Sequence, residues 1–188
     1  MSARRPRPAR GAVIAAAALL ALLGAGLLGA RCAARAAQPV RRSQHGTVTQ
    51  MIGRTEVAIS YNRPVARGRA LFGALVPWGR VWNPGADTAT TITVSADVLV
   101  NGRPLRKGTY SLWAIPDTAA WTMIFSTAQP VWHMPYPEGR DALRVRAAPR
   151  TGSHMEVLAF YFPIVEPDSA VLDLHWGITI VPLAIRVR

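Results

Sequence analysis

Apolar and polar residues alternate with a period of two along most of the chain after residue 45, most clearly in 56–61 and 143–147. This period is typical of strands that have one buried and one exposed face. It predicts further strands at 90–95, 109–115, 121–126, 155–162, 171–176 and 178–187. Beyond the first 36 residues, no stretch shows a sustained helical period. The pattern therefore predicts an all-β domain.

Turn residues separate the predicted strands at short intervals. Asn101-Gly102 fits a two-residue hairpin turn, and Lys107-Gly108 and Pro116-Asp117 interrupt the pattern further along the chain. Glu166 to Ser169 forms another turn sequence. Many short strands joined by turns are typical of an antiparallel β-sandwich, with a barrel-like arrangement as the alternative. We expect a single domain of this kind.

Two irregular segments break the strand pattern, at 63–87 and 129–141. Loops of this length inside compact domains are usually functional or act as packed covers. The first segment is rich in Gly and Pro, yet it carries large apolar side chains that would not be left in water. We expect it to fold over one end of the sandwich and to bury Phe72 and Trp82. Trp78 and Trp132 are expected to help close the same end.

The first 36 residues have the layout of an export signal. Four arginines lie within the first ten residues and precede an uncharged run at 12–30, which spans about 28 Å as a helix. Ala34-Arg35-Ala36 offers a cleavage site before Ala37. We therefore predict a signal peptide that is cleaved, or else a membrane anchor, over 1–36. Both alternatives place the domain in the periplasm or outside the cell.

The rest of the chain divides into a polar linker at 37–45 and the all-β domain at 46–188. If the leader is retained, residues 12–30 tether the domain to the membrane, and we expect no other membrane contact.

Charge and cysteine content exclude several classes of protein. The chain has a net charge of +12, but six arginines belong to the leader, and 16 basic against 10 acidic residues remain, a net of +6. Export and the lack of nucleic-acid-binding motifs argue against a nucleic-acid partner. The only cysteine, Cys32, lies in the leader, so we expect no disulfide.

Motifs in the first irregular segment and in the following strands carry a family resemblance. They are Tyr61-x-Arg63-Pro64, Gly68-Arg69-x-Leu71-Phe72-Gly73-x-Leu75-Val76-Pro77-x-Gly79, Val81-Trp82-x-x-Gly85-Ala86-x-x-Ala89-Thr90 and Gly108-Thr109-Tyr110-Ser111-Leu112. With these motifs the chain resembles the exported bacterial family catalogued as domain of unknown function 2911, from about residue 45 to the C-terminus. The resemblance implies the fold and export, and it implies no chemistry.

The chain departs from the pattern of that family at one place. Relatives commonly have Trp-Arg-Thr-Gly-Ala-Asn-Glu-Ala-Thr where this chain has Trp82-Asn83-Pro84-Gly85-Ala86-Asp87-Thr88-Ala89-Thr90. If the arginine and glutamate of that pattern form a site, this protein lacks it.

Residues capable of catalysis are few. The four histidines are His45, His133, His154 and His175, and no nucleophile motif accompanies them. We expect His175 to be solvated, because it alternates with Leu174 and Trp176 on a strand. His133 is the strongest candidate, since Trp132 and Tyr136 could wall a pocket around it. No short metal-ligand spacing occurs, so we expect neither a metal nor another cofactor.

The irregular segments supply the candidate binding residues. They are Arg63, Arg69, Trp82, Asn83, Asp87, Trp132, His133, Tyr136, Asp141 and Arg144. We further expect Arg63 and Arg69 to bond backbone carbonyls or an acid such as Asp141. Aromatic, arginine and asparagine side chains in loops can hold a glycan, a peptide or another envelope component. The sequence thus predicts a non-catalytic binding or structural module, with a secreted hydrolase that uses the two segments as the alternative.

Overall fold

The structure, a computed structural model, describes residues 41–187. Within that range ten strands and no helix are formed. The strands are β1 (Gln44–Ile52), β2 (Thr55–Arg63), β3 (Thr91–Val94), β4 (Val98–Val100), β5 (Arg103–Leu105), β6 (Gly108–Ile115), β7 (Trp121–Ser126), β8 (Asp141–Ala147), β9 (Arg150–Val165) and β10 (Ser169–Val187). The all-β prediction is confirmed.

The strands described in 41–187 form two sheets. A six-stranded sheet, called the large sheet, has the order β1-β2-β3-β6-β7-β8, and a four-stranded sheet, called the small sheet, has the order β5-β4-β10-β9. All neighbouring strands are antiparallel. The antiparallel prediction is confirmed, and the barrel-like alternative is wrong, because the strands form two separate sheets rather than one closed sheet.

The hydrophobic core lies between the two sheets. Leu112 and Phe125 of the large sheet and Leu158 and Leu172 of the small sheet belong to one continuous cluster and are fully buried. Along the strands, buried positions alternate with outward-facing positions, most regularly in β8. Burial of one face per sheet is the physical reason for the period of two in the sequence.

Most predicted strands and turns are found where the pattern placed them. Asn101 and Gly102 join β4 to β5 with φ values of 46° and 77°, the two left-handed positions of a type I′ turn. The strands predicted at 171–176 and 178–187 are one strand, β10, with pairing irregularities beside Gly177. β1 was not predicted, and it begins within the segment predicted as a polar linker.

The Tyr61-x-Arg63-Pro64 motif connects the two sheets. The backbone N–H of Phe160 in β9 donates to the Tyr61 hydroxyl at 3.1 Å. Arg63 Nε donates to the carbonyl of Leu158, and the Leu158 N–H donates to the carbonyl of Pro64. The end of β2 therefore crosses from the large sheet to β9, the edge strand of the small sheet. This motif has a structural explanation.

The predicted leader lies outside the described residues, as do residues 37–40 of the predicted linker.

The described part of the chain contains no helix of the length and apolar character needed to cross a membrane.

Candidate functional site

The long loop, residues 64–90 between β2 and β3, is fastened to both sheets. Val65 pairs with Val157 of β9, and Trp82 pairs with Ala114 of β6. The N–H of Gly79 also donates to the carbonyl of Pro116, at 2.9 Å. Backbone groups at the start and in the second half of the loop are thus hydrogen-bonded to residues of the two sheets or directly beside them. The loop closes the gap between the small sheet and the large sheet.

Phe72 and Trp82 of the long loop pack onto Trp121 of β7 and Trp176 of β10 at the end of the core, and we call these four side chains the aromatic cover. The Phe72 ring lies edge-on to Trp121 with 4.8 Å between centroids. Trp82 stacks on Trp176 at 6.1 Å with an angle of 9° between planes. These geometries are favourable for aromatic pairs. The predicted fold-back is confirmed, although Phe72 and Trp82 are half-buried rather than fully buried.

Trp78 and Trp132, which were also expected to close this end of the sandwich, are more exposed than Phe72 and Trp82. Trp78 touches Phe72 but keeps 43% of its surface exposed. Trp132 is 53% exposed and its ring contacts His133. The prediction that Trp132 plugs the sandwich is therefore wrong.

A cavity of about 430 Å³ opens beside the aromatic cover, and we call it the basic cavity. Its charged and polar lining consists of Arg42, Ser43, Arg67, Arg69 and His133, and its apolar walls include Trp82 and Trp176. Among the described residues that line it, none is Asp or Glu. Three of the ten candidate residues thus meet there: Arg69, Trp82 and His133.

Arg69 and His133 are held in place by backbone carbonyls. Arg69 Nε donates to the carbonyl of Ala66 at 2.8 Å, and its Nη2 donates to the carbonyl of Val65 at 2.6 Å. His133 Nδ1 lies 2.8 Å from the carbonyl of Asp87. Because a carbonyl oxygen only accepts, Nδ1 carries the proton, and Nε2 is the ring nitrogen that can accept from a ligand. The expectation that Arg63 and Arg69 bond backbone carbonyls is confirmed.

Arg67 and Arg42 lie together at the mouth of the basic cavity. Arg67 adopts a left-handed φ of 52°, and its N–H donates to Glu156 Oε1 at 2.6 Å. Arg67 Nη2 also donates to the carbonyl of Arg42. Hydrogen bonds from His154 and from the Arg67 N–H lower the pKa of the Glu156 carboxyl. Neither arginine was predicted as a binding residue, although the Arg67-Gly68-Arg69 spacing is a usable signal.

Asn83 serves the fold rather than the cavity. Its side chain is buried, Nδ2 donates to the carbonyl of Leu112 at 2.7 Å, and Oδ1 accepts from the Thr90 N–H at 3.3 Å. Both ends of the amide are therefore engaged by backbone of the large sheet. Asn83 thus has a structural role, and the exposed Thr88 lies nearby in the same loop.

A separate cluster joins Tyr136, Asp141 and Arg144 on the short loop, residues 127–140, and β8. The Tyr136 hydroxyl donates to Asp141, whose other oxygen accepts from Arg144 Nε at 2.6 Å. The Tyr136 ring lies edge-on to the buried Trp113. Burial, followed by the bond to Asp141, raises the pKa of the Tyr136 hydroxyl. These three candidate residues are together but do not line the basic cavity.

His175 is buried, so the expectation that it is solvated is wrong. Only 3% of its surface is exposed, and its ring nitrogens contact the Tyr161 hydroxyl and the carbonyl of Ser153. Next to it on β10, Asp173 is fully buried and pairs with Arg150. Burial raises the pKa of the Asp173 carboxyl. Register shifts interrupt the β9–β10 pairing on both sides of Gly177, and residues 172–177 of β10 are all buried. An alternating sequence pattern gives no signal for burial on both faces of a strand.

Within residues 41–187, no group of three His, Cys, Asp or Glu side chains converges in a way that could hold a metal ion.

Comparison with known proteins finds one family. The family model described as "Protein of unknown function (DUF2911)" matches residues 43–185. No curated protein and no solved structure matches the chain.

Proposed function

Because the chain belongs to this family, whose description names no activity, we propose a function from its own geometry: a non-catalytic module that binds a ligand through a carboxylate or phosphate group in the basic cavity. The observation that carries the proposal is the lining of this cavity. Three arginines and a histidine border about 430 Å³, and no acid borders it among the described residues. A concave site of one charge sign concentrates counter-ions.

The fixed arginine favours a carboxylate or phosphate group. Arg69 uses Nε and Nη2 on carbonyl groups, and within residues 41–187 its Nη1 makes no further hydrogen bond. A guanidinium presents five N–H groups in a rigid fork that matches carboxylate and phosphate oxygens. Hydrogen bonds to charged groups contribute about 1.5–3 kcal/mol each. A preorganised Arg69 loses little side-chain entropy when a ligand binds.

We place this module in the cell envelope. The support is the layout of residues 1–36, with an arginine-rich start and an uncharged run before a small-residue cleavage site. Mass measurement on the exported protein is expected to give a new N-terminus near Ala37. Recovery of the uncleaved chain in membranes would replace cleavage by the anchor alternative.

A secreted hydrolase is the alternative, and its support is that both irregular segments contribute to one cavity. Nucleophilic catalysis needs a hydroxyl or thiol held by a base. Ser43 and His133 both line the basic cavity, but within the described chain no hydrogen bond joins them. We therefore prefer binding. If the wild-type protein hydrolyses an ester and His133→Ala does not, this result would favour the hydrolase.

The binding proposal is tested by thermal unfolding of the full-length gene product, purified in the form that the cell delivers. Inorganic phosphate and acetate are compared with chloride at equal ionic strength, because a ligand of the folded state raises the melting temperature. We expect stabilisation that Arg42→Gln/Arg67→Gln weakens by a factor of about 10 or more in affinity. Arg103→Gln, an exposed arginine on β5, is the matched control. Equal melting in all three salts would reject the proposal.

A further inference from the structure

A second cavity adjoins the basic cavity, and we call it the apolar groove. It has a volume of about 350 Å³ and is bordered mainly by Leu71, Phe72, Trp78, Trp176 and Ile178. Arg69 and Trp176 border both cavities. A polar, positively charged space and an apolar space therefore meet at one arginine and one tryptophan.

The junction between the two cavities is firmly built. Arg69 is fixed by two backbone carbonyls. Trp176 donates from Nε1 to the carbonyl of Glu156 at 3.2 Å and stacks on Trp82. Neither side chain needs to reorder when a ligand binds across the junction, so little of the binding energy is spent on ordering.

The far wall of the apolar groove leaves apolar surface in water. Ile178 is 56% exposed although it lies on β10 only two residues after the buried Trp176. Leu71 lies over Gly177, where a Cβ would come within 2.9 Å of its Cδ1. Apolar surface gathered in a concavity marks a binding site more often than scattered exposed residues do. The apolar groove is thus suited to a hydrocarbon group.

We infer that the ligand is an amphiphilic anion, with its carboxylate or phosphate held at Arg69 in the basic cavity and a short apolar chain lying in the apolar groove beside Trp176 and Ile178. This inference rests on the proposed anion-binding function and adds the apolar part of the ligand. The positive charge of the basic cavity selects the anionic head group. Arg69 and Trp176, which border both cavities, direct the apolar chain of the ligand into the apolar groove.

Calorimetric titration with straight-chain carboxylates, from acetate to octanoate, tests the inference on the full-length gene product. Burial of each methylene is expected to raise affinity by a factor of about four until the groove is filled. An affinity that does not change with the length of the carboxylate would overturn the inference of an amphiphilic ligand, while the proposed anion site would still be supported. Absence of binding by every carboxylate and by phosphate would reject the proposed function itself.

Two isoleucine variants show whether the apolar chain of the ligand lies in the apolar groove. Ile178→Ser is expected to weaken the binding of octanoate by about tenfold and to leave the binding of acetate unchanged, because the variant covers less apolar surface of the ligand. Ile164→Ser is the matched control, since Ile164 is 53% exposed on β9 and borders a different cavity. Equal losses in the two variants, or no loss in Ile178→Ser, would overturn the assignment of the groove.

Discussion

The long loop and the short loop have similar compositions but pack differently. Both carry aromatic residues among prolines and glycines. The long loop places Phe72 and Trp82 against the core between the sheets. The short loop leaves Trp132 and Met134 more than half exposed and buries its Tyr136 only in part.

Space, rather than composition, explains this difference. At the end of the sandwich, Trp121 and Trp176 from opposite sheets leave a gap that the long loop fills. The short loop instead meets the outer face of the large sheet, where Trp113 and Ile124 form a small second cluster. An outer face offers one wall and not two, so fewer loop side chains lose contact with water. Aromatic content alone therefore does not predict burial.

The largest expected difference between the loops is in the effect of removing a tryptophan. Trp82→Ala is expected to lower the free energy of unfolding by about 3 kcal/mol, because it removes a ring stacked in the aromatic cover. That is a large share of the roughly 5–15 kcal/mol that stabilises a domain. Urea unfolding measures the change.

Trp132→Ala is the matched control and is expected to change stability by less than about 0.5 kcal/mol, as exposed positions do. Similar losses in both variants would mean that the two loops are equally part of the core. A wild-type midpoint for Trp82→Ala would show that the aromatic cover is an open platform.

A smaller effect is expected from the buried amide of the long loop. Asn83→Ala leaves the Leu112 carbonyl and the Thr90 N–H without that partner. Unsatisfied buried groups cost about 1–3 kcal/mol. Chemical denaturation of this variant should show a loss in that range, and the exposed Thr88→Ala should show almost none. A neutral Asn83→Ala would mean that water replaces the amide.

The smallest effect is expected in the short loop and depends on pH. Tyr136→Phe removes the bond to Asp141, a loss of about 1 kcal/mol at neutral pH. The folded-state pKa of Tyr136 is raised, so above about pH 10 the unfolded chain releases this proton first. The stability advantage of the wild type over Tyr136→Phe should therefore shrink as pH rises above 10. Urea midpoints at neutral and alkaline pH measure it, and a constant advantage would contradict the raised pKa.

Much of the fold could be predicted from local patterns, whereas much of the site could not. The alternation in 143–147 and the turn at Asn101-Gly102 depend on neighbours in the sequence, and both predictions are confirmed. The basic cavity joins Arg42, Arg67 and His133 from three distant segments. No local pattern specifies which of the many arginines meet.

The sequence by itself determined the all-β class, most strand positions, the turns and the presence of a long apolar loop, because burial of one face imposes a period of two and turns require particular residues. Tertiary structure decided which polar residues are buried and where positive charge gathers. His175 sits on an alternating strand, yet both faces of β10 are buried around it. Arg69 is positioned by carbonyl groups of the long loop, and Trp176 of the small sheet completes both cavities. Such encounters depend on how the sheets pack, and packing is a property of the whole chain.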